Sequence, residues 1–169
     1  MTLWEECQVW HENDDFQKII DAIEAIPADR RTPELDSELA RAYNNLAAPG
    51  DRKLYEKAIA LLERHKEYFY GDYYWNFRMG YAYYYMDQEG TALHYFEQAL
   101  KARPDDQDTQ ELFEKNFRER TEHAWAAFLE IEGTLIRLLP HWVMPSVLGC
   151  EKGLSQCWWL WMKPCGSAY

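Results

Sequence analysis

The spacing of apolar residues restricts this chain to helices along almost its whole length. Apolar side chains recur every three or four positions as far as about residue 138, and no sustained two-residue alternation typical of β-strands occurs. We predict helices over about 2–12, 15–26, 33–47, 52–67, 72–86 and 89–102, with a longer helix beginning at Gln107. Pro, Gly and Asp lie between several of these segments, as expected where helices end. The predicted fold class is therefore all-α.

One segment of 34 residues, 73–106, contains a helix-pair motif. Its packing residues are Met79, Gly80 and Tyr83 in the first helix, Ala92, Phe96 and Ala99 in the second, and Pro104 after it. The motif resembles the tetratricopeptide repeat (TPR), in which a large apolar residue, Gly, Tyr, Ala, Phe, Ala and Pro occupy this spacing. Small residues allow two helices to approach closely, large ones fill the space between repeats, and Pro ends the second helix. The family's early Trp is displaced, because Asn76 holds that position.

Two weaker units precede the strong one. Leu39, Ala40 and Tyr43, followed by Ala58 and Leu62, match part of the motif. A more degenerate unit lies nearer the N-terminus, so the resemblance covers residues 1–106. It implies antiparallel helix pairs in a right-handed solenoid. We predict that the helix beginning near 107 covers the last repeat, because a solenoid needs a terminal cap.

The last thirty residues differ in composition from the rest. Residues 140–169 hold four of the eight Trp and three of the four Cys, but only Glu151, Lys152 and Lys163 carry charge. We therefore predict a helical domain over 1–139 and a separate Trp/Cys-rich tail over 140–169. Three interpretations of the tail remain open: a short structured extension, a truncated part of a second domain, or out-of-frame translation of one.

The negative charge of the chain argues against some classes of partner. The formal net charge is −11, which disfavours nucleic acid and anionic membrane surfaces. The first residues do not resemble a signal peptide, and no apolar stretch is long enough to cross a bilayer. The four cysteines lack the density and spacing of a disulfide framework. A cytoplasmic protein with reduced thiols is the resulting prediction.

No residue pattern predicts an enzyme, a metal site or a cofactor. The three tail cysteines and His141 lack the close Cys pairs of structural zinc sites. Cys7 and His11 lie one helical turn apart, but no third residue is evident to orient them. The acidic segment 104–108 lacks the Gly and distal Glu of a calcium loop, so we interpret it as a helix cap.

The helix over 72–86 has more aromatic residues than one packing face requires. The TPR resemblance implies that the face next to the packing residues lines a concave peptide-binding groove. The predicted groove residues are Tyr74, Phe77, Arg78, Tyr81, Tyr84 and Tyr85. Tyrosine suits such a surface because it combines apolar area, a polar tip and few rotatable bonds. The alternative is that these rings only pack against neighbouring helices or the tail.

Non-catalytic binding of a protein or peptide partner, as an adaptor, is the predicted function. The clamp by which some TPR proteins hold chaperone tails needs Lys, Asn and Arg, and only Arg78 lies near an expected position in the strong unit. An alternative is a small acidic inhibitor or immunity-type protein that neutralises a basic toxin or enzyme. Strong weakening of binding by salt would favour the inhibitor, whereas weak salt dependence would favour the aromatic groove.

Overall fold

The structure is a computed structural model that describes residues 2–48 and 50–138, without the side chains of 132–138. The predicted tail, 140–169, lies outside the described residues. Within them the secondary structure is entirely helical, which confirms the all-α prediction for this part of the chain. The helices are α1 Leu3–Glu12, α2 Phe16–Glu24, α3 Pro33–Leu46, α4 Arg52–Arg64, α5 Tyr73–Tyr84, α6 Glu89–Ala102 and α7 Gln107–Leu138, with a 3₁₀ turn at Ala28–Arg30.

Polar side chains fix the starts of several helices. At α1, Oγ1 of Thr2 accepts from the amide of Glu5 at 3.3 Å, and Oε2 of Glu5 accepts from the amide of Thr2 at 2.8 Å. Asp72 caps α5 through the amide of Trp75 at 2.8 Å. Asp106 accepts from the amide of Thr109 at 2.9 Å. The helix-cap interpretation of the acidic segment before α7 is therefore confirmed for Asp106.

The chain divides into two compact units, Met1–Glu122 and His123–Tyr169. In the first unit each helix from α1 to α5 packs against the next one along the chain, so that α6 is the last of the series. Helix α3 also contacts α5. In the second unit the described residues are the C-terminal part of α7. There the rings of Trp125 and Phe128 stack with their centroids 5.6 Å apart.

Apolar side chains from α1 to α5 form the largest core cluster of the first unit. Ile19, Ile23 and Met79 are fully buried in it. Trp75 is buried beside them, and its indole Nε1 donates to the carbonyl oxygen of Leu62 at 2.9 Å. This bond gives the buried indole N–H its partner and joins α5 to α4.

Several of the packing residues predicted for the helix pair over 73–106 meet between α5 and α6. A Cβ added to Gly80 would lie 2.7 Å from Cδ1 of Phe96, so only glycine fits against that ring. Phe96, Ala92 and Ala99 are fully buried. Tyr83 is half-buried and stacks on Tyr95, with ring centroids 5.6 Å apart. Pro104 is exposed just beyond the end of α6.

Asn76, at the position where the TPR motif has Trp, is a buried polar residue on α5. It is 4% exposed, and its Nδ2 donates to the carbonyl oxygen of Asp72 at 2.7 Å. The neighbouring Trp75 fills the core instead. Among the described residues, no helix combines the length and apolar character needed to cross a membrane.

Candidate functional site

A cavity of about 700 Å³ opens on the first unit. Its helical lining residues all come from odd-numbered helices: Trp4 and Gln8 of α1, a group on α3, the aromatic row of α5, and Asp108 of α7. The short segments before α5 and α7 complete the lining. The cavity thus follows one side of the helix array. Helices α2, α4 and α6 contribute no lining residue.

An aromatic row on α5 forms one wall of this cavity. Tyr74, Phe77 and Tyr81 are spaced by three and four positions, which places them on one helical face. Tyr74 is 50% exposed, while Phe77 and Tyr81 are half-buried. The ring centroids of Phe77 and Tyr81 lie 6.3 Å apart. The ring centroid of Phe77 also lies 6.2 Å from that of Phe96. The row therefore presents aromatic surface to the cavity and packs against the core on its other side.

Arg78 also lines the cavity, but its guanidinium is already bound within the protein. Nη2 lies 3.2 Å from Oε2 of Glu38, and Nη1 donates to the carbonyl oxygen of Ser37 at 3.1 Å. Its side chain is only 14% exposed. Burial lowers the pKa of Arg78, and the carboxylate of Glu38 partly opposes that effect. Arg78 therefore joins α5 to α3 and shapes the cavity floor.

The structure places Tyr84 and Tyr85 outside the cavity lining. Tyr84 is 9% exposed and packs against Phe96, with Nζ of Lys115 lying 5.4 Å from its ring centroid. Tyr85 stacks on Tyr55, with centroids 5.7 Å apart and rings 7° from parallel. Tyr84 follows Tyr81 by three positions and is offset from it by about 60° around the helix. Its ring is covered by contacts with α6 and α7, which keep it out of the cavity. At the C-terminal end of α5, Tyr55 of α4 covers the ring of Tyr85.

Glu38 is a buried carboxylate in the cavity wall that the spacing of apolar residues in the sequence does not predict. Glu38 is 1% exposed, and its oxygens lie 2.6 Å from Nε2 of His11, 3.2 Å from Arg41 and 3.2 Å from Arg78. Burial alone would raise the pKa of Glu38. The three basic groups outweigh that effect and lower the pKa to about 2. The carboxylate thus stays ionised and ties α1, α3 and α5 together.

A second buried carboxylate lies two residues earlier, outside the cavity lining. Asp36 is 1% exposed and contacts Arg64 at 3.1 Å, His65 at 2.8 Å and Arg31 at 3.5 Å. These contacts join the start of α3 to α4 and to the segment before α3. In the sequence, Asp36 and Glu38 look like ordinary charged residues of a helix's first turns, so their burial could not be predicted there.

Asn44 of α3 leaves one polar atom of the cavity wall without a partner. Its Nδ2 donates to the carbonyl oxygen of Arg78 at 3.0 Å, which fixes the orientation of the amide. The residue is 3% exposed, and Oδ1 receives no hydrogen bond within the described part of the chain. The amide of Asn44 therefore joins α3 to α5 beside the cavity.

Arg103 and Tyr73 lie where α7 approaches the cavity. The exposed guanidinium of Arg103 lies over the rings of Tyr73 and Tyr74, 4.3 and 4.5 Å from their centroids, and donates to the hydroxyl of Tyr74 at 3.2 Å. Tyr73 is buried, and its hydroxyl lies 3.0 Å from Oγ1 of Thr109. This edge of the cavity already holds a cation against aromatic faces.

A second, smaller cavity of about 370 Å³ lies along α7 within the first unit. Its lining residues are Phe113, Glu114, Phe117, Arg118, Thr121 and Glu122. Phe117 is 58% exposed. All lining residues belong to one helix, so this is a shallow helix face rather than a site built by several elements.

Cys7 has the environment of a core residue rather than of a nucleophile. It is fully buried, and burial, with Glu38 and Glu6 nearby, raises the pKa of its thiol to about 11. The neighbouring His11 contacts Glu38. Within the described residues, no group of three or more metal-ligating side chains is close enough to hold an ion. His141 and the three tail cysteines lie outside the described residues.

No protein-family model matches the chain, and a search of curated proteins finds no significant match.

Proposed function

We propose that this chain is a non-catalytic binding protein whose cavity along α1, α3 and α5 holds a protein or peptide segment. In this proposal the helices form antiparallel pairs in a right-handed TPR-like solenoid, and the first helix of each pair lines the concave side. The observation that carries the proposal is the origin of the cavity wall. Only odd-numbered helices and the segments next to them supply it, as expected where the first helices of successive pairs share one surface.

The chemistry of the wall supports binding of a polypeptide. The cavity volume of about 700 Å³ falls in the range of ligand-binding sites, which combine aromatic surface with a few placed polar groups. Tyr74, Phe77 and Tyr81 supply the aromatic surface, and Gln8 and Asn44 supply amide groups. Amides pair readily with backbone N–H and C=O groups.

The most perturbed charged groups of the wall serve to position helices. Glu38 and Arg78 are ion-paired with each other, and each is largely buried. A carboxylate whose pKa is about 2 is a poor general base near neutral pH, because it holds a proton too weakly. This arrangement favours a rigid binding surface over acid–base chemistry.

The test is loss of binding on removal of the aromatic wall. A random phage-displayed peptide library is selected against the full chain, and the selected peptides are titrated into purified variants. Phe77→Ala combined with Tyr81→Ala should weaken binding by about thirtyfold or more, as for a central interface anchor. Both rings are half-buried, so we also expect the variant to lose about 1–3 kcal/mol of stability while remaining folded.

Tyr70→Ala is the matched control, because Tyr70 is 93% exposed and does not line the cavity. It should bind the selected peptides as the parent does. Unchanged affinity in a folded double variant would refute the proposed site.

A further inference from the structure

Negative charge predominates among the residues that line the cavity. Three arginines and five carboxylates line it. Arg78 and Arg41 both contact Glu38, at 3.2 Å each, so this group of three side chains keeps one net positive charge. That charge and the guanidinium of Arg103 face the four other carboxylates, so the lining is net negative.

Those four carboxylates are Glu34, Asp72, Asp106 and Asp108. None of them lies within 4 Å of a basic group of the described chain, although Asp106 interacts electrostatically with Arg103, and Asp72 with Arg78. Hydrogen bonds hold three in place: Asp72 accepts from the amide of Trp75, the hydroxyl of Tyr68 donates to Glu34, and Oγ1 of Thr109 donates to Asp106 at 2.6 Å. The bonds to Glu34 and Asp106 also lower the pKa of these two carboxyls.

Arg103 shows what the aromatic edge can bind. Its guanidinium lies over Tyr73 and Tyr74 at 4.3 and 4.5 Å, although the residue itself is exposed. The two rings and the hydroxyl of Tyr74 therefore form a seat for a planar cation. Because Arg103 is exposed, a guanidinium from a ligand can reach the same rings and compete with it.

We propose that the segment held in this cavity is cationic: an extended stretch of polypeptide bearing Arg or Lys side chains. This inference rests on the proposed function and specifies its ligand. One ligand cation replaces Arg103 on Tyr73 and Tyr74, and others lie near the four carboxylates. Charge complementarity of this kind sets both the attraction and the choice of partner.

The probes are two fluorescein-labelled synthetic peptide pools, each about eight residues long. An extended peptide of that length spans roughly 26 Å. The pools share the same uncharged positions and differ only in the charged ones, which are Arg in one pool and Glu in the other. Each is titrated into the full chain by fluorescence anisotropy. We expect saturable binding of the Arg pool and none of the Glu pool.

Variants then identify the surface used. Asp108→Asn and Glu34→Gln should each weaken binding of the Arg pool by about two- to fivefold, the usual range for one exposed ion pair. Arg103→Ala should strengthen binding of the Arg pool, because the cation that competes for Tyr73 and Tyr74 is removed. Arg30→Ala is the matched control: Arg30 is exposed and outside the cavity lining, and its removal changes the net charge equally. It should have a smaller effect than Arg103→Ala.

The outcomes separate this inference from the proposed function. Binding of the Glu pool that disappears in the Phe77→Ala, Tyr81→Ala variant would overturn the cationic ligand but retain the cavity. Binding of the Arg pool that is unaffected by Asp108→Asn, Glu34→Gln and the aromatic double variant would place it elsewhere and overturn this inference. If neither pool binds while library-selected peptides do, the ligand is not cationic and the inference fails alone. If no peptide binds, both fail.

Discussion

At the scale of single residues, Gly80 is the position where the packing argument is most sharply testable. Its added Cβ would lie 2.7 and 2.8 Å from two atoms of the fully buried ring of Phe96. We expect Gly80→Leu to cost about 1–3 kcal/mol through overpacking, despite the higher helix propensity of Leu. Gly90→Ala is the control, because a Cβ there meets only Arg120 at 3.8 Å. Thermal unfolding should show the first variant destabilised and the second not; equal melting temperatures would contradict the packing.

Glu38 makes the stability of the fold depend on acid. Its folded pKa of about 2 lies below the ordinary value of 4.5, so the folded state binds this proton less tightly than the unfolded state. The stabilisation is therefore complete above about pH 4.5 and is lost as the pH falls toward 2. Its size is on the order of 3 kcal/mol. Urea unfolding at a series of pH values should show this loss, and Glu38→Gln should flatten the curve in that window. A parent curve as flat as the variant's would show that the carboxylate is not held as described.

At the scale of elements, much of the helix pattern could be predicted from the sequence because its boundaries are local. Thr2, Asp72 and Asp106 are capping residues whose hydrogen bonds reach only three positions along the chain. Helix ends were harder to place. The prediction carried α4 to about residue 67, whereas it ends at Arg64, because no Gly or Pro marks that end.

The cavity wall was predictable only in part, for a physical reason. Spacing of three and four along α5 groups Tyr74, Phe77 and Tyr81 on one face, and that grouping is a property of the helix itself. Whether Tyr84 and Tyr85 reach the cavity depends on α4, α6 and α7, which cover them. The ion pairs of Glu38 likewise join residues up to 40 positions apart, so no local pattern encodes them.

The contact between α4 and α5 depends on one buried hydrogen bond. Trp75→Phe removes part of the buried ring and, with it, the donor to the carbonyl oxygen of Leu62. We expect a loss of about 1–3 kcal/mol from the lost packing and the lost hydrogen bond, although the carbonyl still accepts from the amide of His65 at 3.1 Å. Trp4→Phe serves as the comparison, since Trp4 is 48% exposed. Chemical denaturation should separate the two variants; similar midpoints would mean that the indole N–H contributes little.

At the scale of the whole molecule, the described core lies within the first unit. The buried apolar residues extend from Cys7 to Ala99, and all lie before residue 122. We therefore expect a chain that lacks residues 140–169 to stay folded, with the helical circular dichroism and cooperative melting of a packed domain. A truncated chain that is insoluble or loses its helical signal would contradict the predicted domain boundary near Pro140.

The proposed function requires that a polypeptide binds in the cavity along α1, α3 and α5. An amide chemical-shift titration of the isotope-labelled full chain with the tightest library-selected peptide tests this. We expect the largest shifts on lining residues of the odd-numbered helices, among them Gln8, Arg41, Asn44, Phe77 and Tyr81. Shifts confined to the face of α7 from Phe113 to Glu122, or to helices α2, α4 and α6, would contradict it.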